Sequence, residues 1–536
     1  MSSFLVRGAL VIDGSGGEPF RSDIAVKNGL ITEVSPSIKG GGKAVIEADG
    51  LVAAPGFIDI HSHTDLTIFK HPLAESKALQ GVTTEVIGNC GIGAFPVNPE
   101  RRAVLFDYLK VHEFHLPSDG LSWSNFTQYA NQLDRIGLGL NLAPLAAHGA
   151  LRIAVLGAED RIPSNEELER MKNLLADSLE QGAWGLSTGL IYPPGSFAKT
   201  EELEALAKIV ARYGAIYTSH IRGEGVTLME ALDEAVCIGR KGGVRVEVSH
   251  LKALGKNNWG RGREALLKLE KARRDGVDIS ADQYPYEATS TSLTALVPPW
   301  AHAGGVGELL KRLASPKTAE RLQAEILREI DRRGGPRRIV IAGIGSAKNI
   351  SLSGKNIGQI AELWNCEPEI AVKRLLLEEE AAVGAVYFSL WDEDVAAILS
   401  SDQVSVGSDG MGMKAEEDFA KSTHPRSYGT FPRILGVYVR EKGALSMARA
   451  IRKMTGLVAS RVGLKNRGLI KPGFTADLAL FDPLTIQDRS TFDRPHQYAT
   501  GVIYTWVNGC PTVQEGLVTG NSPGKVLRKR GVSSHS

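Results

Sequence analysis

Eight short apolar runs recur along the middle of the chain, at 51–60, 83–89, 138–147, 183–187, 215–219, 244–249, 277–281 and 404–408. Runs of this length, bounded by glycine and polar residues, read as buried strands. Helical periodicity fills many of the gaps. Ser164-Asn-Glu-Glu167 is a capping box ahead of Leu168, Met171, Leu174 and Leu175, which share helical spacing. Thr200 is placed to cap a helix over 201–213, and the segments 228–240 and 263–274 each end near a glycine. Eight strands alternating with helices predict an α/β fold, a (β/α)8 TIM-like barrel. The alternative is an open doubly wound sheet, but no Gly-x-Gly-x-x-Gly loop follows a first strand.

The two ends of the chain have a different texture. Short alternating runs at 4–13, 23–26, 30–34 and 44–48 are broken by Asp13-Gly14 and Asn28-Gly29, which are hairpin signals. The pattern returns at 477–481, 501–507 and 516–519, with Asn508-Gly509 as a further turn. The expectation is a small β-sandwich built from both termini, 1–52 with 465–536, flanking a barrel over 53–464. The gap between the seventh and eighth runs is too long for one helix. Residues of about 296–349 are read as an inserted lid subdomain over the barrel mouth.

Charge changes the picture mainly by exclusion. Lys and Arg number 62 against 61 Asp and Glu, so no global field attracts nucleic acid or an anionic membrane. The one basic run, 525–530, reads as a solvated tail. Four scattered cysteines fit a reducing compartment. No run approaches 18 apolar residues, and the N-terminus lacks the form of a signal peptide. A cytoplasmic enzyme is expected, with neither nucleic acid nor membrane as partner. Its oligomeric state is open.

The strand ends carry the chemistry. In a barrel the active site lies at the C-terminal ends of the strands. Those positions hold His61 and His63, Cys90, His148, Ser187-Thr188, His220, His250, Tyr284 and Asp409. Residues i and i+2 on a strand share a face, so His61 and His63 form half of a metal site. His, Cys and Asp suit a borderline-soft divalent ion such as zinc. Taken singly, each has a structural explanation: a core thiol, a satisfied histidine, a turn aspartate. Their recurrence at one position across eight runs points to a metal centre.

These segments also carry a resemblance. Gly56-Phe-Ile-Asp-Ile-His-Ser-His-Thr-Asp65, Gly88-Asn-Cys-Gly91, Tyr217-Thr-Ser-His220, Glu247-Val-Ser-His250 and Gly407-Ser-Asp-Gly410 resemble the amidohydrolase superfamily. With Ala147-His-Gly-Ala-Leu-Arg152, Asp282-Gln-Tyr-Pro-Tyr286 and His424-Pro-Arg-Ser-Tyr-Gly-Thr-Phe-Pro432, they are similar to its D-aminoacylase (N-acyl-D-amino-acid deacylase) branch. The resemblance implies one Zn2+ held tightly by Cys90, His220 and His250. It implies a weaker second site at His61 and His63, with Cys90 able to bridge. Many relatives use a carboxylated lysine at the fourth strand end; Ala183-Trp-Gly-Leu-Ser-Thr188 has none, and the thiolate fills that role.

The implied reaction is hydrolysis of an N-acyl-D-amino acid to a carboxylate and a free D-amino acid, by metal-activated water with Asp409 as general base and then acid. The resemblance places Arg426, Lys252, Tyr192 and Tyr284 around the substrate carboxylate, and Arg426 offers a planar fork suited to it. His148 is expected to assist as a donor or positioner. D-selectivity rests on the resemblance alone, and the side-chain pocket is expected to favour neutral, hydrophobic residues. Two other readings stand beside this one. A cyclic amidase of dihydroorotase or hydantoinase type could use the same barrel. A non-catalytic scaffold is disfavoured, because the whole ligand set and Asp409 are present.

Overall fold

The computed structural model describes residues 3–39, 44–112, 117, 120–415 and 422–529. Parallel pairing runs from Phe57–Asp59 to Val82–Ile87 and on to Asn141–Pro144. Ala146–Ala147 continues that third strand and pairs with Gly185–Gly189. Ile216–His220, Arg245–Val248, Ile279–Gln283 and Val404–Val406 follow in order. A parallel bridge between Ser62 and Gly410 closes the ring, and the Asp409 N–H donates to the His61 carbonyl at 2.7 Å. The result is a closed (β/α)8 barrel. Most of these strands are buried along their whole length, which is why they read as continuous apolar runs rather than alternating ones.

The capping box at Ser164 opens the helix Asn165–Glu180, with both reciprocal bonds present. Thr200 does not cap its helix. It is the first helical residue of Thr200–Arg212, and its hydroxyl donates to Glu234 at 2.8 Å.

The two termini meet in one nine-stranded sheet. Val52–Pro55 pairs parallel with Phe4–Val11 on one side and antiparallel with Leu478–Phe481 on the other. The rings of Phe4 and Trp506 stack at 4.9 Å, although two strands separate theirs. In a flat sheet those strands would lie roughly 14 Å apart. The sheet therefore folds over on itself and encloses Phe4, Val6, Ile24, Leu478 and Trp506. The basic segment near the C-terminus is not a solvated tail over its described part, 525–529. The Val526 N–H donates to Asp134, the Leu527 N–H to the Leu142 carbonyl, and the Leu527 carbonyl accepts from the Trp184 indole. The side chains of Lys525 and Arg528 stay exposed while the backbone pairs. The chain from Arg530 onward lies outside the described residues.

The excursion between the last two barrel strands is larger than 296–349. Thr289–Ser292, Ile339–Ile341 and Gly384–Tyr387 form an antiparallel sheet of their own. The helices Val306–Ala314, Pro316–Arg332, Ile357–Trp364 and Pro368–Glu378 share its core through Leu309, Ile326, Ile341, Ile360, Leu375 and Tyr387. Its strands are three or four residues long, and one is wholly Ser and Thr, so hydrophobic periodicity does not register them.

Candidate metal centre at the barrel mouth

The strand ends deliver their side chains by sharp turns. Cys90 has φ +55°, His250 +35° and Asp409 +51°. All three occupy the left-handed region that costs a residue with a Cβ, and such strain persists only where the surroundings enforce it. The surroundings here are tight. A Cβ at Gly189 would lie 1.9 Å from the Cys90 carbonyl oxygen, and one at Gly91 would lie 2.7 Å from the Gly189 nitrogen. The turn at His250 is held by its N–H, which donates to Asp282 at 2.9 Å.

The turned side chains form two donor groups that share one atom. His61, His63, Cys90 and Asp409 bring their ligand atoms within 4.8 Å of one another, and so do Cys90, His220 and His250. Cys90 Sγ lies 3.3 Å from His61 Nε2 and 3.4 Å from His250 Nε2. Burial pushes the thiol up, but the imidazoles of His61 and His250 outweigh it and hold Cys90 well below its ordinary value. That favours thiolate, the ligating form. His220 is buried, and among the described residues neither of its ring nitrogens has a hydrogen-bond partner. Burial pushes its pKa down, which keeps it neutral. An orphaned neutral imidazole beside a thiolate and a second imidazole fits a borderline-soft ion such as zinc.

An outer layer orients these groups. His61 Nδ1 lies 3.2 Å from Asp282. Glu224 Oε1 lies 2.6 Å from Lys252, 3.2 Å from His250 Nδ1 and 3.5 Å from His220 Nε2. Carboxylates behind metal-binding histidines fix ring orientation. Sequence reasoning gives a role to neither Asp282 nor Glu224. Glu224 stands four residues beyond His220, the one local signal it carries.

Asp409 divides its two oxygens. Oδ1 lies 3.1 Å from His63 Nε2 and 3.4 Å from His61 Nε2, while Oδ2 accepts from Arg426 at 2.6 Å. Burial pushes the carboxyl up; Arg426 and His250 prevail and hold it well below its usual range. Arg426 also donates to the Ser290 carbonyl at 3.0 Å.

The other expected substrate contacts fall in different places. Lys252, Tyr192 and Arg426 line the cavity with Cys90, His220, His250 and Asp409. The Tyr192 hydroxyl shares a 2.9 Å hydrogen bond with Thr291 of the excursion. Tyr284 is fully buried behind the cations, its ring 5.0 Å from the Arg426 guanidinium and 5.8 Å from Lys252. His148 stands apart. The third strand ends at Ala147, and His148 begins the helix His148–Leu156. Its Nε2 lies 2.8 Å from Glu202, whose other oxygen accepts from Arg152 at 2.5 Å. It is wholly buried in that ion network and does not line the cavity.

The chain belongs to the amidohydrolase family, which it matches over residues 44–328 and 388–513. It is 35% identical to an N-acyl-D-aspartate deacylase of Alcaligenes xylosoxydans xylosoxydans, over 98% of this chain and 95% of the relative. It is 34% identical to a D-aminoacylase of the same organism, over 98% of this chain and 97% of the relative. Its fold matches the crystal structure of N-acyl-D-glutamate deacylase from Bordetella bronchiseptica, solved with zinc and a phosphonate mimic of the tetrahedral intermediate. That match has a TM-score of 0.83 and 33% identity, and covers 98% of this chain and 99% of the other. Among the described residues, no helix is long and apolar enough to cross a membrane.

Proposed function

We propose that this protein is a zinc-dependent N-acyl-D-amino-acid deacylase, cleaving a linear amide to a carboxylate and a free D-amino acid. The observation that carries the reading is the single thiolate, Cys90, common to both donor groups. Cys90, His220 and His250 would hold the tighter ion, and His61 and His63 with Cys90 a weaker second one. When bound, zinc supplies Lewis acidity at the scissile carbonyl and lowers the pKa of coordinated water.

The chain's own residues supply the rest. Asp409 is ionised and faces the histidine pair, so its Oδ1 is placed to take a proton from the nucleophile. An amine leaves poorly unless protonated, and the same carboxyl returns that proton to the leaving nitrogen. Arg426 and Lys252 line the cavity and offer cationic donors to an α-carboxylate. Tyr192 adds a phenolic donor at the seam with the excursion. The D configuration is taken from the relatives, which are named for D-amino acid substrates. The substrate is thus a small molecule, and the four free cysteines support a reducing, cytoplasmic setting.

Zinc content measured together with turnover of N-acetyl-D- and N-acetyl-L-methionine, phenylalanine and glutamate, plus a hydantoin, tests the reading. The expected result is one or two zinc ions and D-selective release of free amino acid. Turnover of the hydantoin alone would transfer the protein to the cyclic amidases.

A further inference from the structure

We infer that Arg333 forms an anion-binding subsite in the part of the cavity wall that the excursion supplies, for a second carboxylate carried by the substrate. The inference rests on the deacylase reading and adds to it the class of substrate.

Among the described residues, three cationic side chains line the cavity: Lys252, Arg426 and Arg333. Two of them hold a buried carboxylate of the protein, Lys252 with Glu224 at 2.6 Å and Arg426 with Asp409 at 2.6 Å. Arg333 does not. Its side chain is only 8% exposed, yet among the described residues its Nε has no hydrogen-bond partner. The neighbouring carboxylate, Glu329, lies 3.3 Å from that Nε without hydrogen-bond geometry and is itself 26% exposed. A buried guanidinium with an unfilled Nε is costly, and a planar carboxylate satisfies such a group in two-point fashion.

Arg333 is also held in place for such a role. It follows the helix Pro316–Arg332, and its guanidinium lies over the Tyr387 ring at 4.3 Å. The Tyr387 hydroxyl donates to the Ser292 carbonyl at 3.1 Å, which fixes the ring against the cavity strand Thr289–Ser292. On the other side the chain passes close to the loop that follows Lys252. Gly255 has φ +90°, and a Cβ there would lie 2.9 Å from the Arg332 carbonyl oxygen. The excursion therefore brings Arg333 beside the barrel loop carrying Lys252 and Leu254. The hydroxyl-bearing residues of Thr289–Ser292 line the same cavity and offer further donors to an anion.

This group makes different contacts from the α-carboxylate partners. Arg426 and Lys252 contact Asp409, His250 and Glu224 at the metal end. Arg333 belongs to the excursion, within the stretch between 328 and 388 that the family match leaves out. A second carboxylate could be the end of an acidic D-side chain or the end of a dicarboxylic acyl group. The first runs against the hydrophobic side chain expected from the sequence; the second is compatible with it.

The test compares kcat/KM for N-acetyl-D-methionine, N-acetyl-D-glutamate and N-succinyl-D-methionine in the wild type, Arg333→Met and Arg333→Lys. The wild type should favour one of the two dicarboxylates over N-acetyl-D-methionine by tenfold or more, and which one identifies the arm that reaches Arg333. That ratio should fall at least tenfold in Arg333→Met and recover in part in Arg333→Lys. No preference in the wild type overturns the subsite even if Arg333→Met fails to fold. So does a loss in Arg333→Met that is equal for all three substrates, which would assign Arg333 to the α-carboxylate. Calorimetric binding of the same three compounds separates the two readings. Binding of a dicarboxylate that depends on Arg333, without turnover of any compound, would leave the subsite standing and remove the deacylase assignment. Failure of both dicarboxylates to bind would remove the subsite.

Discussion

Arg426 and Asp409 form a buried ion pair at 2.6 Å, on the oxygen that Asp409 does not turn toward His61 and His63. The proposed base and the proposed carboxylate clamp are thus electrostatically joined. Burial raises the Asp409 carboxyl; Arg426 is the largest of the opposing groups and, together with His250, His63 and His61, more than reverses it, so removing the guanidinium must raise that pKa. Asp409 acts as a base only when ionised. In Arg426→Ala the acid limb of kcat/KM should therefore move to higher pH, and KM for N-acyl amino acids should rise by roughly tenfold or more, the loss expected for a charge-assisted carboxylate contact. A pH profile with an unmoved acid limb would show that the pair does not tune the base.

Asp409→Asn separates proton transfer from metal binding. Asp409 belongs to one donor group and is absent from the group of Cys90, His220 and His250. Turnover should drop by about 10²- to 10⁴-fold, the usual share of general acid and base catalysis. Zinc in the Cys90, His220 and His250 site should remain near the wild-type level by elemental analysis. Activity within a few-fold of wild type would end the case for Asp409 as base.

Cys90 and His63 give a paired test of the shared thiolate. Cys90→Ala removes a donor from both groups, whereas His63→Ala touches only one. Total zinc after dialysis against a weak chelator should fall below one per chain in Cys90→Ala, with a smaller loss in His63→Ala. Equal losses in the two variants would mean that the thiolate is not the common ligand.

The sequence is most legible where strand position alone places a side chain. His61, His220 and Asp409 sit at or just beyond the ends of barrel strands, and apolar runs mark those ends directly. Glu224 and Asp282 are silent because their roles depend on distances to His250 and His61 that only the closed barrel creates. His148 shows the converse. It follows an apolar run like the others, but the chain turns into a helix at that residue, and Glu202, 54 positions later, takes its imidazole. The excursion extends beyond its expected bounds because its edge strands, Thr289–Ser292 and Gly384–Tyr387, are too short to show a hydrophobic period.

The structural role of His148 has its own check through its partner. Glu202 is the carboxylate for both His148 and fully buried Arg152. Glu202→Ala would leave the guanidinium buried without its ion-pair partner, a loss of roughly 3–5 kcal/mol in proteins generally. The denaturation midpoint should fall accordingly. A midpoint close to wild type would mean that the network relaxes or hydrates at little cost.

Lys453 gives a stability test far from the metal centre. It is 1% exposed, and its ammonium donates to the Ser401 carbonyl. Burial pushes its pKa down to about 7, with Arg449 and Arg452 adding to the effect and Asp402 opposing it. In the unfolded chain the lysine titrates near 10.4. Between those values the unfolded state binds the extra proton, so the wild type gains stability as pH rises from 7 toward 10. Below pH 7 both states are protonated and the contribution is flat. A shift of this size corresponds to a change on the order of 5 kcal/mol across the window. Lys453→Met has no such titration. Thermal unfolding of the two proteins from pH 6 to 10 should show wild type gaining on the variant above pH 7 and keeping a constant gap below it. Parallel curves throughout would mean that Lys453 keeps an ordinary pKa in the folded protein.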